Sequence, residues 1–267
     1  MNEQTTRLLL EVNRQFYSQF GAAFAATRRR LQDGVRRVLD ALPDRGRWLD
    51  LGCGSGTLAA EWLRRGRRSS YLGLDNSLEL LSEARQVVEF ARLERVAEEY
   101  PSDLSISFDS GSSQVSFVMA DLADPGWSDV LWKGTFDGVL CFAVLHHLPG
   151  EALRRQVFSQ IRRLLAPGGV LIFSVWQFQN SSRLMARVQP WSRLGISADD
   201  VEPGDRLLDW RGVLPGQGTQ VGLRYVHLFS PEELADLASG AGFRMVEQFF
   251  SDGEGGKLSL YQHWRLE

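Results

Sequence analysis

The chain has 267 residues, of which 43% are hydrophobic and 24% charged, and its net charge is −3. This balance supplies apolar material for a substantial core, and it excludes wholesale disorder and the strongly basic surface typical of general nucleic-acid binders. Cys53 and Cys141 are its two cysteines, which excludes a disulfide framework or a cysteine-built zinc cluster and leads us to expect reduced thiols and no metal site. The N-terminus carries no basic stretch followed by an apolar run, and no segment reaches the roughly 18 apolar residues of a membrane span. A cytoplasmic protein without a membrane partner is expected, folded as one domain over 1–267. Lysine occurs only at Lys133 and Lys257. Arginine clusters such as Arg28-Arg29-Arg30 are read first as solvated helix faces, with phosphate or carboxylate recognition as the alternative.

In chain order, residues 8–42 place Leu31, Val35, Val38, Leu39 and Leu42 at helical spacing before Pro43. The spacing predicts a helical N-terminal extension over 1–45. From Arg47 short apolar runs alternate with amphipathic segments, the pattern of βαβ units and a parallel sheet. Strands are expected near 47–51, 71–75, 115–119, 136–142 and 169–176, and helices near 57–66, 77–99, 151–165 and 231–241. Two further strands, 243–250 and 257–265, flank the turn-rich Asp252-Gly253-Glu254-Gly255-Gly256 and should pair antiparallel. The fold class is therefore α/β, with a cofactor-binding core over 46–177 and a C-terminal helix and strand pair over 229–267. Segment 101–114 reads as a surface loop. The aromatic region 178–228 leaves the fifth strand where open α/β sheets bind ligands, so it reads as a substrate cap.

The strongest signal is Trp48-Leu49-Asp50-Leu51-Gly52-Cys53-Gly54-Ser55-Gly56, a strand running into a glycine turn before a helix. Glycines let the backbone lie against a ligand with its N–H groups pointing inward. A dinucleotide fingerprint counted from Gly52 requires glycine where Thr57 stands, which disfavours nicotinamide binding. Asp75 closes the second strand, where a carboxylate can accept from ribose hydroxyls, and Asn76 follows it. Asp121, at the end of the next strand, is suited to accept from an adenine amino group. Any one of these aspartates suits a turn or cap; together they favour a nucleoside pocket.

These segments, with Asp121-Leu122, Phe136-Asp137-Gly138-Val139 and Leu164-Leu165-Ala166-Pro167-Gly168-Gly169, resemble the ordered motifs of class I S-adenosylmethionine-dependent methyltransferases over about 47–176. The resemblance implies a Rossmann-like seven-stranded mixed sheet with one antiparallel strand. It assigns Asp50 and the glycines Gly52, Gly54 and Gly56 to the methionine part of S-adenosyl-L-methionine, Asp75 to ribose and Asp121 to adenine. Cys53, Asn76 and Leu122 join this cofactor set, and Cys141 is expected beneath the cofactor.

A narrower resemblance involves Phe16-Tyr17, Thr27-Arg28, Ala143-Val144-Leu145-His146-His147-Leu148, Gly204-Asp205 and Arg224-Tyr225-Val226-His227-Leu228-Phe229, which are similar to motifs of the tRNA wobble-uridine carboxymethyl methyltransferases. It implies methylation of an acid on a tRNA base, and a possible small zinc-binding activator subunit. On this reading Arg28 and Arg224 orient the acid while Tyr17 and His227 shape the site. His146, or its neighbour His147, offers a base if the acceptor is a hydroxyl or amine. Aromatics of the cap, Trp176, Phe178, Trp191 and Trp210, either stack a base or pack. Two other readings remain open: a methyltransferase acting on a small metabolite, and a cofactor-binding partner subunit without catalysis.

Overall fold

The computed structural model describes all residues except 27–29, 100–114, 132 and 214–217. Its elements are α1 (Glu3–Ala26), α2 (Asp33–Ala41), β1 (Arg47–Leu51), α3 (Thr57–Arg64), β2 (Ser70–Asp75), α4 (Leu78–Glu99), β3 (Val115–Met119), β4 (Phe136–Phe142), α5 (Glu151–Leu164) and β5 (Leu165–Trp176). They continue with α6 (Ser182–Met185), β6 (Val188–Gln189), β7 (Asp205–Val213), β8 (Thr219–His227), α7 (Pro231–Gly240), β9 (Phe243–Ser251) and β10 (Ser259–Leu266). The expected surface loop 101–114 lies outside the described residues. No described helix is long and apolar enough to cross a membrane.

A seven-stranded sheet runs in the order β3-β2-β1-β4-β5-β10-β9. β1 to β5 are parallel to one another, whereas β10 pairs antiparallel with both β5 and β9. The seven-stranded mixed sheet with one reversed strand is thus the architecture that the methyltransferase resemblance implied. Both faces are covered, which is why β1 has four successive buried residues rather than an alternation. On one face Leu49, Val139 and Phe173 pack with Val157, Ile161 and Leu237 of α5 and α7. On the other, Trp48, Tyr71 and Ile172 pack with Val35, Leu39 and Trp62 of α2 and α3.

Local chemistry fixes two of the element ends. α7 begins where the Ser230 hydroxyl accepts from the Glu233 N–H at 3.1 Å, with Pro231 in the first turn. β5 begins at Leu165, earlier than the expected 169, because Leu165 pairs with Phe136 before the register shifts and Val170 resumes the ladder opposite Gly138. Pro167 has no N–H to offer in between.

The expected cap over 178–228 contains a second, antiparallel sheet in the order β6-β7-β8. Leu208 and Val226 pack with Trp176 and Phe178, so the seam between cap and core is itself apolar. The N-terminal extension divides between two places. α2 packs on the main sheet, whereas α1 lies on the cap: the Trp210 ring is 5.9 Å from Phe16 and 5.2 Å from Phe20. α1 and the β6-β7-β8 sheet therefore form one roof.

Candidate active site

The chain moves outward from β1 to β2 and β3, then returns to β4 on the other side of β1. Open α/β sheets form a crevice at such a switch point, beyond the carboxyl ends of the strands. Here it is a cleft of about 870 Å³ whose floor includes Asp50, Gly54 and Asp75 and whose roof is α1. The roof contributes Leu10, Asn13, Arg14, Tyr17, Ser18 and Gly21, one face of the helix at steps of three and four.

The glycine turn is held by β2: the N–H groups of Gly52 and Cys53 donate to the Leu74 carbonyl at 2.7 and 3.0 Å. Two glycines answer to different needs. Gly54 has φ +54 with nothing within 4 Å of an added Cβ, so it faces open space in the cleft. Gly56 has φ +76, and a Cβ there meets the Ala84 Cα of α4 at 2.8 Å, so helix packing forbids a side chain. Gly52, Cys53 and Gly54 line the cleft; Gly56 stands behind it.

Asp50 and Asp75 are almost fully buried. Asp50 accepts from the Tyr71 hydroxyl, yet burial, with the nearby Asp75 adding to it, pushes its carboxyl up to about 7. Asp75 accepts the Gly54 N–H and the Ser77 N–H, both at 2.9 Å, and burial still raises it above its ordinary value. Neither has a cationic partner among the described residues. Buried carboxylates without a cation suit a ligand that brings positive charge or hydroxyl donors, as the sulfonium, ammonium and ribose of S-adenosylmethionine do. Asn76 and Leu122 line the same cleft. Asp121 also lines it, but here it pairs with Arg14 of α1 at 2.9 Å, a latch between roof and floor.

The remaining candidates separate. Tyr17 lines the cleft, and its hydroxyl lies 2.9 Å from Nε2 of His147. His147, not His146, is the cleft-facing member of the histidine pair. His146 is fully buried, stacked on Trp176 at 5.0 Å with the Trp176 N–H directed at its Nδ1, because the 3-10 turn Leu145–His147 points successive side chains in different directions. Cys141 is buried in the core and does not line the cleft. Both thiols are unbridged, and burial pushes both up. Arg224 is buried with its guanidinium 4.5 Å over Trp176 and 5.5 Å over Phe16, inside the roof. Arg28 lies outside the described residues. Trp176 and Phe178 are buried at the seam between cap and core, which is packing rather than an exposed stacking platform.

His227 occupies a separate buried network. Its Nδ1 lies 2.7 Å from Asp205 and its Nε2 2.8 Å from Glu233. Tyr225 donates to Asp205 at 2.6 Å, and Arg154 pairs with Glu202 at 2.5 Å and Glu233 at 2.9 Å. Burial alone lowers the His227 value, but its bonds to Asp205 and Glu233 outweigh that and raise it. Glu202, Asp205 and His227 bring donor atoms within 4.8 Å of one another. Both imidazole nitrogens already face carboxylates, however, and Arg154 supplies the cation, so the group reads as a latch from β7 and β8 to α5 and α7. Asn13 and the Arg14–Asp121 pair were missed in the sequence. The helical spacing of Leu10, Asn13, Tyr17 and Gly21 is the signal that would have found the roof face.

A parallel sheet with a glycine turn after β1, carboxylates at the ends of successive strands and a reversed β10 defines a class I S-adenosylmethionine-dependent methyltransferase. The methyltransferase domain family matches over residues 24–248, and the chain belongs to that family. It is similar to the tRNA (carboxymethyluridine(34)-5-O)-methyltransferase of Schizosaccharomyces pombe, 23% identical with 87% of this chain and 89% of the relative covered. It is also similar to the trans-aconitate 2-methyltransferase of Acidovorax sp. JS42, 34% identical over 46% of this chain and 35% of the relative. In fold it matches the S-adenosylmethionine-dependent methyltransferase of Clostridium acetobutylicum, with TM-score 0.57, 13% identity and 94% and 98% of the two chains covered.

Proposed function

We propose that this chain transfers the methyl group of S-adenosylmethionine to a carboxylate oxygen, and that its acceptor is a carboxymethylated wobble uridine of tRNA in the cytoplasm. The observation that carries the cofactor half is the pair of buried carboxylates Asp50 and Asp75 beneath the glycine turn, without a cationic partner among the described residues. When bound, the cofactor supplies an electrophilic methyl on a cationic sulfur. The residues hold it: Asp50 faces its charge, Asp75 keeps acceptor capacity for ribose beyond its two backbone bonds, and the roof helix excludes water. A carboxylate acceptor, with an ordinary value of about 4, arrives ionised at neutral pH and needs placement in line with the methyl group.

The tRNA half rests on the breadth of the likeness to the fission-yeast enzyme, which spans 249 aligned positions. The trans-aconitate likeness, higher in identity but confined to 125 residues, favours a second reading in which a small acid is the acceptor. Both share the carboxylate. The test begins with calorimetric binding of S-adenosylhomocysteine to wild type and Asp75→Ala, with binding expected in the first and a loss of at least about tenfold in the second. Labelled methyl transfer to total tRNA and to a panel of di- and tricarboxylic acids follows, with and without cell extract as a source of an activator subunit. Label in tRNA that mild alkali releases as methanol supports the proposal. Label only in small acids moves the assignment to the second reading, and alkali-stable label defeats the carboxylate.

A further inference from the structure

The side chain of Asn13 reaches two elements far from it in sequence. Its Nδ2 donates to the His147 carbonyl at 3.2 Å, and its Oδ1 accepts the Tyr225 N–H at 2.8 Å. Asn13 is buried, with 6% of its surface exposed. It therefore joins α1, the turn after β4 and strand β8 at one point. Tyr225, gripped by its N–H, also presents its own carbonyl to Nδ1 of His147 at 3.1 Å.

A carbonyl can only accept, so in the neutral imidazole Nδ1 carries the proton and Nε2 keeps a lone pair. That lone pair faces the Tyr17 hydroxyl at 2.9 Å, so Tyr17 donates to it. The cleft floor runs from Asp121 and Asp75 past the glycine turn to Ala143 and Val144, and the Tyr17–His147 pair stands at this last end. That is the end opposite the two carboxylates assigned to the nucleoside.

We infer that Asn13 is a positioning residue that fixes His147 as the Nδ1–H tautomer and aims its Nε2, through Tyr17, at the acceptor end of the cleft. The inference rests on the reading of this cleft as the methyl-transfer site. A carboxylate acceptor arrives ionised, but the fraction that takes up a proton in a cleft closed from water, where burial disfavours the charged form, must lose it before it can attack. The pair removes that proton. The acceptor O–H bond breaks and its proton passes to the Tyr17 oxygen while the Tyr17 proton passes to His147 Nε2; the acceptor oxygen keeps the electron pair it needs as nucleophile. The same relay serves a neutral hydroxyl acceptor, so Asn13 maintains the proton-accepting pair at the acceptor end of the cleft.

The test uses the full chain with ¹⁵N-labelled histidine, comparing wild type with Asn13→Ala and with Asn13→Asp. The aspartate keeps an oxygen for the Tyr225 N–H but loses the donor to the His147 carbonyl. Two-dimensional long-range ¹H–¹⁵N spectra of the ligand-free protein report the tautomer, the His147 signals being assigned with His147→Gln. We expect a protonated Nδ1 in wild type and a mixture of tautomers in both variants. S-adenosylhomocysteine affinity should stay within about twofold, and kcat for methyl transfer should fall by more than about tenfold with a smaller change in KM. Variants that keep the wild-type tautomer, or keep kcat within about twofold, overturn the inference. Because the spectra are recorded without cofactor or acceptor, a wrong acceptor assignment leaves this readout intact, and the two failures are distinguishable. If Asn13→Ala does not fold, Asn13→Asp carries the comparison.

Discussion

Replacing Asp50 by asparagine should stabilise the ligand-free protein while weakening the cofactor site. The carboxyl is fully buried, and burial lifts it from an ordinary 3.8 to about 7. One pKa unit corresponds to about 1.4 kcal/mol, so ionised Asp50 costs the fold on the order of 4 kcal/mol at pH 8. The sign follows from proton counting. Between 3.8 and 7 the folded chain holds a proton that the unfolded chain has released, so this group's contribution falls as pH rises through that window and is flat above it. Asparagine removes the charge and still offers an oxygen to the Tyr71 hydroxyl, the partner that Asp50 has now. In thermal unfolding at pH 8 the Asp50→Asn variant should melt about 8 °C higher, by the usual conversion for a chain of this size. The gap should close towards pH 4. S-adenosylhomocysteine binding, followed by calorimetry, should weaken by at least about tenfold, since the group that faces the ligand's cationic end is gone. An Asp50→Asn variant that is less stable than wild type at pH 8, or a gap that does not change with pH, refutes the assignment of Asp50 as a strained, cation-seeking carboxylate.

Four further outcomes follow from the geometry. Gly56→Ala should cost about 2–4 kcal/mol in urea unfolding, adding left-handed strain at φ +76 to a Cβ 2.8 Å from the Ala84 backbone. Gly54→Ala, with open space around the new methyl, should cost only about 1 kcal/mol. Arg154→Met should destabilise by about 3–5 kcal/mol, because it removes the buried guanidinium that pairs with both Glu202 and Glu233. His227→Gln bears on pH dependence. A raised His227 stabilises fully below its ordinary 6.5 and loses that contribution as pH rises through the raised folded value. Glu233, lowered on balance by His227 and Arg154 against the opposing effect of burial, contributes above its ordinary 4.5 and loses that as pH falls. The stability difference between wild type and His227→Gln should therefore be largest between these limits and shrink on the alkaline side; urea titrations from about pH 5 to 9 check it.

The floor of the cleft was legible in the sequence because its parts are local. A strand, a glycine turn and a helix start lie within Trp48 to Thr57, and each later carboxylate ends its own apolar run. Periodicity reports such units directly. The roof was not legible, because it depends on contacts between distant segments: the Asn13 bond to Tyr225 spans 212 positions. Helical spacing shows that 8–42 is helical but not that α1 leaves the main sheet to cover the cap. For the adjacent histidines, residue type could not decide which one faces the cleft. That depended on how the 3-10 turn after β4 directs successive side chains, and it turned His147 outward and His146 onto Trp176. His227 illustrates a third case: its place in a motif beside Arg224 suggested chemistry, whereas Asp205 and Glu233 enclose it in a charge network.

The two halves of the cleft are therefore held by different forces. Its floor belongs to the hydrophobic sheet, where Leu49, Leu51 and Val139 are fully buried and the strand ends have little freedom to move. The roof meets that floor partly through apolar packing at Trp176 and Phe178 and partly through polar contacts. Those contacts are Asn13 to His147, Arg14 to Asp121, and the Arg154–Glu233–His227–Asp205 chain. Apolar contacts tolerate sliding, whereas buried hydrogen bonds and ion pairs lose most of their worth when displaced, so these contacts fix the register of α1 and β8 over the glycine turn. The half-exposed Arg14–Asp121 pair, which lines the cleft, contributes little energy. The buried chain resists displacement more strongly, because breaking it leaves charges unpaired away from water.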